Sequence, residues 1–204
     1  SAIEYVNDEG GGTVLIRAGT YTITTPIILY SNITIIGEGI GQTIIDGSGI
    51  TAGDAVIEAQ GDSFFLGGTI AINNGSSAVV GTATNFVECG ASGTDTLEAG
   101  DRIAIGNLFY TVATVTNNTN LTISETFRGS NVTAYSAFAA ITKKNIFVRD
   151  IQLKGSTSVT GNIRSFAVEN LRIEDCFIHT GNIGIQTLYC INVGINNNFS
   201  FGHE

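Results

Sequence analysis

The sequence predicts an all-β chain: a right-handed parallel β-helix, that is, a three-sided solenoid, interrupted by a small antiparallel β domain. Three observations indicate this fold class. A short motif recurs with a period in the low twenties, Thr, Ile, Val and Asn dominate the composition, and the middle of the chain lacks the motif. Recurrence at this spacing is typical of stacked coils that bury their apolar faces against one another.

Each copy of the motif begins with a polar residue and places apolar residues at its second and fourth positions, before a turn-forming residue. The copies begin at Asn32, Asn145, Asn170 and Asn192, and a degenerate copy begins at Asp54. The last two steps along the chain are 25 and 22 residues. Alternating apolarity within a copy predicts a strand with one buried side.

The first element is predicted to be the end of an amphipathic helix over residues 1–8, with Ile3 and Val6 on one side. Such a helix would cover the unpaired strand edges of the first coil. The first coils then consist of short strands separated by glycine turns. These strands are predicted at residues 13–16, 21–24, 26–29, 33–36 and 43–45.

The motif stops after Leu66 and resumes near Thr142. Between them, Asn-rich turns at residues 73–76 and 117–120 favour antiparallel hairpins. Strands are predicted at residues 69–72, 78–80, 102–105, 110–115, 121–124 and 134–137. The predicted domains are therefore 1–66 (cap helix and first coils), 67–141 (inserted antiparallel domain) and 142–204 (continuing coils).

Alternate apolar residues within each coil are predicted to point inward and to stack on their equivalents in the next coil. Neighbouring strands lie about 4.8 Å apart, and burying one Ile or Val stabilises the fold by about 1.5–3 kcal/mol. The leading asparagines would be buried and stacked too, each amide donating to one neighbour and accepting from the other. The two apolar columns would consist of Ile33, Ile146, Leu171 and Val193, and of Ile35, Val148, Ile173 and Ile195.

Charge and composition exclude several classes of partner. The formal net charge is −9 with only nine Lys and Arg, whereas nucleic-acid binding rewards clustered positive charge. An acidic chain is also a poor ligand for an anionic membrane, and no run of about 18 apolar residues is present to cross a bilayer. The cysteines form no C-x-x-C pair and are interpreted as small buried apolar residues rather than a disulfide framework: Cys89, Cys176 and Cys190.

Two segments carry a family resemblance: Gly10-Gly11-Gly12-Thr13-Val14-Leu15-Ile16-Arg17-Ala18-Gly19-Thr20-Tyr21 and Ser31-Asn32-Ile33-Thr34-Ile35-Ile36-Gly37-Glu38-Gly39. They resemble the opening of the pectate-lyase-like superfamily of right-handed parallel β-helices. Phage tail spikes, polysaccharide lyases, hydrolases and alginate epimerases share that opening. The resemblance covers about two-thirds of the chain and implies the fold rather than a single activity.

The inserted segment has a resemblance of its own, carried by residues 74–76, 79–86, 99–105, 110–115 and 119–123. It looks like a small module common in phage tail fibres and spikes. Together the two resemblances imply a virion tail protein, or a prophage-derived relative, that acts on cell-surface glycan.

Asp150 and Asp175 are the first catalytic candidates, because they occupy equivalent places in adjacent coils. Stacked coils would bring their Cα atoms to roughly 5 Å, which suits the carboxyl pair of a retaining glycosidase at about 5–5.5 Å. Two like charges this close would raise the pKa of one of them, as an acid catalyst requires. The alternative is a turn role, since Asn197 takes the same position in the next coil.

Glu174 is the third candidate and is predicted to point outward between Arg149 and Asn196. One interpretation is an exposed Arg-Glu-Asn ladder, in which an ion pair contributes about 0–1 kcal/mol. The other is a sugar-binding or acid/base row, since Phe147 and Arg172 share that side of the sheet.

No cofactor is predicted. A Ca²⁺ ion needs six to eight oxygen ligands, and the acidic residues of the early coils are spread over different sides, so calcium is the less favoured alternative. His179 and His203 are lone histidines without a second ligand at metal spacing, and His179 is interpreted as a surface residue. The acidic residues considered are Asp46, Asp54, Glu58 and Asp62.

Three hypotheses of function stay open. The first is a phage tail-spike or tail-fibre domain that recognises, and in one version depolymerises, host cell-surface polysaccharide. The second is a secreted polysaccharide lyase, hydrolase or epimerase, and the third is a purely structural β-helix of a virion appendage. Polysaccharide is the expected partner, without nucleic acid or membrane, in the virion tail or outside the cell. By analogy with tail spikes, the intact appendage would be a homotrimer.

Overall fold

The computed structural model describes residues 1–51, 53–89, 96–106, 108–136, 138–156 and 161–202. The chain divides into two compact units. The first consists of Ser1–Gly61 with Lys143–Glu204, and the second of Asp62–Thr142. Within the described residues, no helix is long and apolar enough to cross a membrane.

The first unit begins with helix α1, Ala2–Asp8. Ser1 caps the helix, since its hydroxyl accepts from the Glu4 amide and the Glu4 carboxylate reaches back to the cap. Ile3 and Val6 pack against the apolar core of the coils. The predicted helix is therefore present, over Ala2–Asp8.

Three parallel sheets form the sides of a β-helix, with one strand of each sheet per coil. Sheet A contains β1 Gly12–Ile16, β4 Ile33–Gly37, β15 Lys143–Arg149, β18 Val168–Glu174 and β21 Ile191–Asn196. Sheet B contains β2 Gly19–Thr22, β5 Thr43–Asp46, β16 Gln152–Lys154, β19 Phe177–His179 and β22 Phe199–Phe201. Sheet C contains β3 Ile27–Ile28, β6 Ala55–Gln60, β17 Gly161–Phe166 and β20 Ile185–Leu188, and a 3₁₀ turn spans Gly47–Gly49. The predicted fold class is confirmed.

The predicted apolar columns exist in sheet A. Leu171 pairs in register with Ile146 on one side and with Val193 on the other. Ile146 and Leu171 are buried, whereas Val193 is half-buried and packs against the same core. Ile195, which was expected to be buried, is 47% exposed because it lies on the last strand of the sheet.

The leading asparagines form a hydrogen-bonded ladder along one edge of the β-helix. Asn145 Nδ2 donates to Asn32 Oδ1 at 2.9 Å, Asn170 Nδ2 to Asn145 Oδ1 at 3.0 Å, and Asn192 Nδ2 to Asn170 Oδ1 at 2.6 Å. All four have φ between 55° and 61°, a left-handed conformation that Asn tolerates better than most residues. The ladder confirms the predicted stacking, but its members are exposed or half-buried rather than buried.

The second unit is a single antiparallel sheet. Its strands are β7 Asp62–Phe65, β8 Thr69–Ile72, β9 Ala78–Thr82, β10 Arg102–Ile105, β11 Leu108–Asn117, β12 Asn120–Ile123, β13 Val132–Tyr135 and β14 Phe138–Ile141. They lie in the order β13-β8-β9-β12-β11-β10-β14-β7. Hairpins at residues 73–77 and 118–119 join β8 to β9 and β11 to β12, as the Asn-rich turns predicted.

The chain leaves the β-helix, and returns to it, at a corner between sheets C and A. Gly61 donates its amide hydrogen to Phe166 O at 2.8 Å, and Lys143 donates to Ala167 O at 3.1 Å. Gly61 and Lys143 are therefore both hydrogen-bonded to the same corner of the next coil. At that corner a single residue, Ala167, connects β17 to β18. Strand β7 pairs with β14 rather than with a coil, so residues 62–65 belong to the antiparallel sheet and not to the repeat.

All three cysteines are free thiols. Cys89 and Cys176 are buried, as predicted, and Cys190 is half-buried. Burial raises the pKa of the Cys176 thiol to about 11. The Cys176 side chain therefore behaves as a small apolar group that fills the corner between sheets A and B.

Candidate functional site

The corner between sheets A and B repeats one backbone conformation from coil to coil. Asp150, Asp175 and Asn197 have φ values of 57°, 52° and 53°. The Asp150 amide donates to Glu174 O at 3.4 Å, and the Asp175 amide donates to Asn196 O at 3.2 Å. Asp150 and Asp175 therefore lie at equivalent corners of adjacent coils, which is the stacking that the sequence predicted.

Among the described residues, Arg149 is the cation paired with a carboxylate of this corner. Arg149 Nε donates to Asp150 Oδ2 at 2.7 Å. This hydrogen bond and the charge of Asp150 raise the pKa of Arg149 above its ordinary value, with smaller contributions from Asp175 and Glu174. The negative charges at the corner thus outnumber the positive one.

Glu174 points outward on sheet A, in register between Arg149 and Asn196 as predicted. Asn196 Nδ2 donates to Glu174 Oε1 at 3.2 Å, whereas Arg149 donates to Asp150. The expected three-residue ladder therefore forms only between Glu174 and Asn196.

The outward side of sheet B begins directly after this corner and changes character along the coils. Apart from Ile44 it is polar or charged in the early coils, and it is aromatic in the last two. One outward row consists of Thr20, Ile44, Gln152, Phe177 and Phe199, and the other of Thr22, Asp46, Lys154, His179 and Phe201. The intervening positions Ile45, Leu153 and Ile178 are buried in the core, which holds both rows at the surface.

Four rings gather on this side: Phe177, His179, Phe199 and Phe201, here called the aromatic face. The ring centroid of Phe177 lies 5.0 Å from that of His179, 5.6 Å from Phe199 and 5.5 Å from Phe201. These separations are those of mutually packed aromatic rings. Phe199 and Phe201 are still 62% and 52% exposed, so the aromatic face presents apolar ring surface to solvent.

Polar groups border the aromatic face. Gln152 Nε2 lies 2.9 Å from His179 Nε2, and His179 Nδ1 lies 3.2 Å from Thr180 Oγ1. When the Gln152 amide donates to Nε2, the ring proton sits on Nδ1 and Thr180 accepts it. These contacts fix the orientation of the imidazole within the aromatic face.

An ion pair lies in the same outward row as His179. Lys154 Nζ donates to Asp46 Oδ2 at 2.8 Å. Partial burial acts to raise the pKa of Asp46, but the hydrogen bonds from Lys154 and from Ser48 outweigh it and leave the pKa below its usual value. The site therefore combines exposed rings, an amide, an imidazole and a neutralised ion pair, which together can contact both the apolar and the polar parts of a ligand.

The family model described as rhamnogalacturonase A/epimerase, pectate lyase-like matches residues 1–203. The chain belongs to this family. No curated protein sequence matches this pectate lyase-like chain significantly.

Solved structures with the same fold include two phage tailspikes. The tailspike protein gp49 of Pseudomonas phage LKA1 is 22% identical with a TM-score of 0.59, over 96% of this chain and 35% of the tailspike. The tailspike gp61 of Pseudomonas phage phi297 is 14% identical with a TM-score of 0.50, over 99% of this chain and 44% of the tailspike. This pectate lyase-like chain therefore shares the parallel β-helix fold of these two proteins and spans less than half the length of either.

Two of the acidic residues of the early coils, Asp46 and Glu58, lie on different sheets. Asp46 is paired with Lys154 on sheet B, and Glu58 is paired with Arg164 on sheet C at 3.2 Å. Across the described residues, no group of three or more His, Cys, Asp or Glu side chains is placed to hold a metal ion. His203 lies outside the described residues.

Sequence reasoning missed the aromatic face of this pectate lyase-like chain. His179 was interpreted as a lone surface residue, yet it is half-buried among phenylalanines. A signal was present: Phe177 and His179 follow Asp175 at the same spacing at which Phe199 and Phe201 follow Asn197. Aligning the coils on their corner residues, rather than on the leading asparagines alone, would have placed the four rings together.

Proposed function

We propose that this chain is the polysaccharide-binding β-helix domain of a phage tail spike or tail fibre. Its glycan-contacting surface is the aromatic face together with the adjoining corner of Asp150 and Asp175. The single observation that carries the proposal is the packing of Phe177, His179, Phe199 and Phe201 on one solvent-facing sheet surface, bordered by Gln152 and by the Lys154–Asp46 pair.

The chemistry of this surface suits a sugar ring. A pyranose has an apolar C–H side that packs on an aromatic ring and a hydroxyl edge that needs hydrogen-bond partners. Phe199 and Phe201 offer exposed ring surface, and Gln152 and Asp46 offer an amide and a carboxylate beside it. Because sheet B is built from successive coils, the surface extends along the β-helix as a chain-shaped ligand requires.

The proposed location and assembly rest on the tailspike fold and on the family. A tail-spike domain would reside in the virion tail, and we propose a homotrimer for the intact appendage because closed symmetry is the common state of such assemblies. A secreted polysaccharide enzyme and a purely structural β-helix are the competing hypotheses. The first would show turnover, and the second would bind no glycan.

Glycan binding tests the proposal. We expect the chain to bind one or more purified capsular polysaccharides or O-antigens, and Phe177→Ala and Phe201→Ala each to weaken that binding at least tenfold, about 1.4 kcal/mol. The matched control is Phe147→Ala, which removes a half-buried outward phenylalanine from sheet A. Affinity electrophoresis measures the binding. Equal losses at Phe147 and Phe177, or no binding by the wild type, would contradict the proposal.

Depolymerisation is a second candidate function. It is favoured by the carboxylates of Asp150 and Asp175, which lie at equivalent corners of adjacent coils. Asp150 accepts a hydrogen bond from Arg149 and is the candidate base or nucleophile, and Asp175 and Glu174 lie one coil away as candidate acids. A glycosidase needs such a pair.

Turnover assays on the bound glycan test this second candidate. Hydrolysis would release reducing ends, and elimination would produce an unsaturated ultraviolet chromophore. We expect Asp150→Asn and Asp175→Asn each to lower product formation at least a hundredfold, while Asp8→Asn on the cap helix leaves it unchanged. Product formation that survives both corner substitutions would rule out catalysis at this corner.

A further inference from the structure

The cations beside the aromatic face are already neutralised. Lys154 Nζ lies 2.8 Å from Asp46 Oδ2, and Arg149 Nε lies 2.7 Å from Asp150 Oδ2. Each positive charge therefore has its own carboxylate on this surface. A ligand carboxylate would have to displace that partner before it could form an ion pair with either side chain.

The anions beside the aromatic face are in excess. Asp175 lies at the corner two residues before Phe177, and Glu174, whose carboxylate accepts a hydrogen bond from the neutral amide of Asn196, directly precedes it. The formal net charge of the chain is −9. A polyanionic ligand laid along sheet B would thus meet like charge both locally and at longer range, which suppresses wrong partners and slows their association.

The aromatic rings also favour an uncharged ligand over a negatively charged one. Phe177, Phe199 and Phe201 contribute apolar contact surface, and uncharged sugars lose less hydration than uronates when they pack on such rings. The groups available to hydroxyls, namely the Gln152 amide and the Asp46 carboxylate, need no charge on the ligand.

We infer that the glycan bound at the aromatic face is neutral, built from uncharged hexoses, deoxyhexoses or N-acetylated sugars rather than uronates. The inference rests on the proposed function, since it specifies the substrate class of that same site. The inference distinguishes this surface from one that would bind a pectin- or alginate-like polyuronate.

Carboxyl reduction gives a matched test. Purified capsular polysaccharides and O-antigens, together with polygalacturonate and alginate, are assayed for binding to the wild-type chain. Each uronate-containing polymer is assayed again after its carboxyl groups have been reduced to primary alcohols. We expect the bound glycans to be neutral, and any uronate polymer that binds to gain at least tenfold in affinity on reduction at low salt. Raising the ionic strength from about 0.01 M to about 1 M should narrow that gap, because the Debye length falls from about 30 Å to about 3 Å.

A charge variant provides a second readout. Asp46→Asn releases Lys154 from its partner and should raise the affinity for uronate polymers at least threefold at low salt, while Asp8→Asn on the cap helix should not. Uronate polymers that bind as tightly as their reduced forms, or more tightly, would overturn the neutral-glycan inference and leave the proposed function standing. Failure of every glycan to bind, with the aromatic face instead buried in self-association seen by sedimentation, would overturn both.

Discussion

Leu171→Ala is expected to lower the free energy of unfolding by about 2–5 kcal/mol. Leu171 is 1% exposed and lies between Ile146 and Val193 in the inward column of sheet A. Truncation removes buried methyl groups and leaves a cavity that the fixed spacing of the coils cannot close, because the strands on both sides are held by backbone hydrogen bonds. Guanidinium unfolding followed by far-ultraviolet circular dichroism measures the loss.

The same substitution at Leu188 is the control. Leu188 lies at the end of β20 and is 46% exposed, so Leu188→Ala should cost less than about 1 kcal/mol. Similar unfolding midpoints for the two variants would show that Leu171 is not enclosed between coils, and the stacked arrangement itself would then be in doubt.

Gly37→Ala is expected to destabilise the β-helix by about 3 kcal/mol and to disturb the carboxylate corner. Gly37 stands one coil before Asp150, and a Cβ atom there would lie only 2.3 Å from Asp150 O and 2.6 Å from Ile151 Cγ2. The nearest obstacle is backbone, which cannot rotate away as a side chain could. The expected result is a lower unfolding midpoint together with weaker glycan binding, measured on the same preparation.

Gly41→Ala is the control. It distinguishes steric crowding, expected at Gly37, from the cost of a left-handed backbone conformation. Gly41 has φ +78°, and a methyl group added at its Cα would meet no atom within 4 Å. The cost of Gly41→Ala is therefore that of a left-handed alanine, roughly 1 kcal/mol. If Gly41→Ala proved more harmful than Gly37→Ala, crowding at the corner would not be the reason for glycine there.

The β-helix could be predicted because its sheet A repeats a strong local pattern. Each copy of the motif contains a turn residue followed by alternating inward and outward positions, as in Asn170-Leu171-Arg172-Ile173 and Asn192-Val193-Gly194-Ile195. The register between strands therefore follows from the alignment of the copies. Sheet C was harder to predict, since β3 has two residues, Ile27–Ile28, and β20 has no leading asparagine. Here tertiary packing rather than local sequence defines the strands.

The candidate site was predicted only in part. Asp150 and Asp175 were found because charged residues at turn positions are conspicuous in a chain with few charges, and Glu174 because alignment of the copies places it between Arg149 and Asn196. Their catalytic role stays a prediction. The aromatic face was missed because Phe177 and Phe201 are 24 residues apart in sequence and meet only when two coils are superposed.

The asparagine ladder is electrically polar. Every amide in it points the same way, from Asn192 Nδ2 through Asn170 and Asn145 to Asn32, whose Nδ2 donates to Gly10 O at 3.4 Å. Aligned amide dipoles reinforce one another, so turning one over would break two bonds at once and leave like poles in contact. The oxygen end of the column, at Asn192 Oδ1, receives the Arg172 guanidinium at 3.4 Å. The column therefore carries a built-in direction and a cationic terminus, much as a helix macrodipole is complemented by a basic residue at its negative pole.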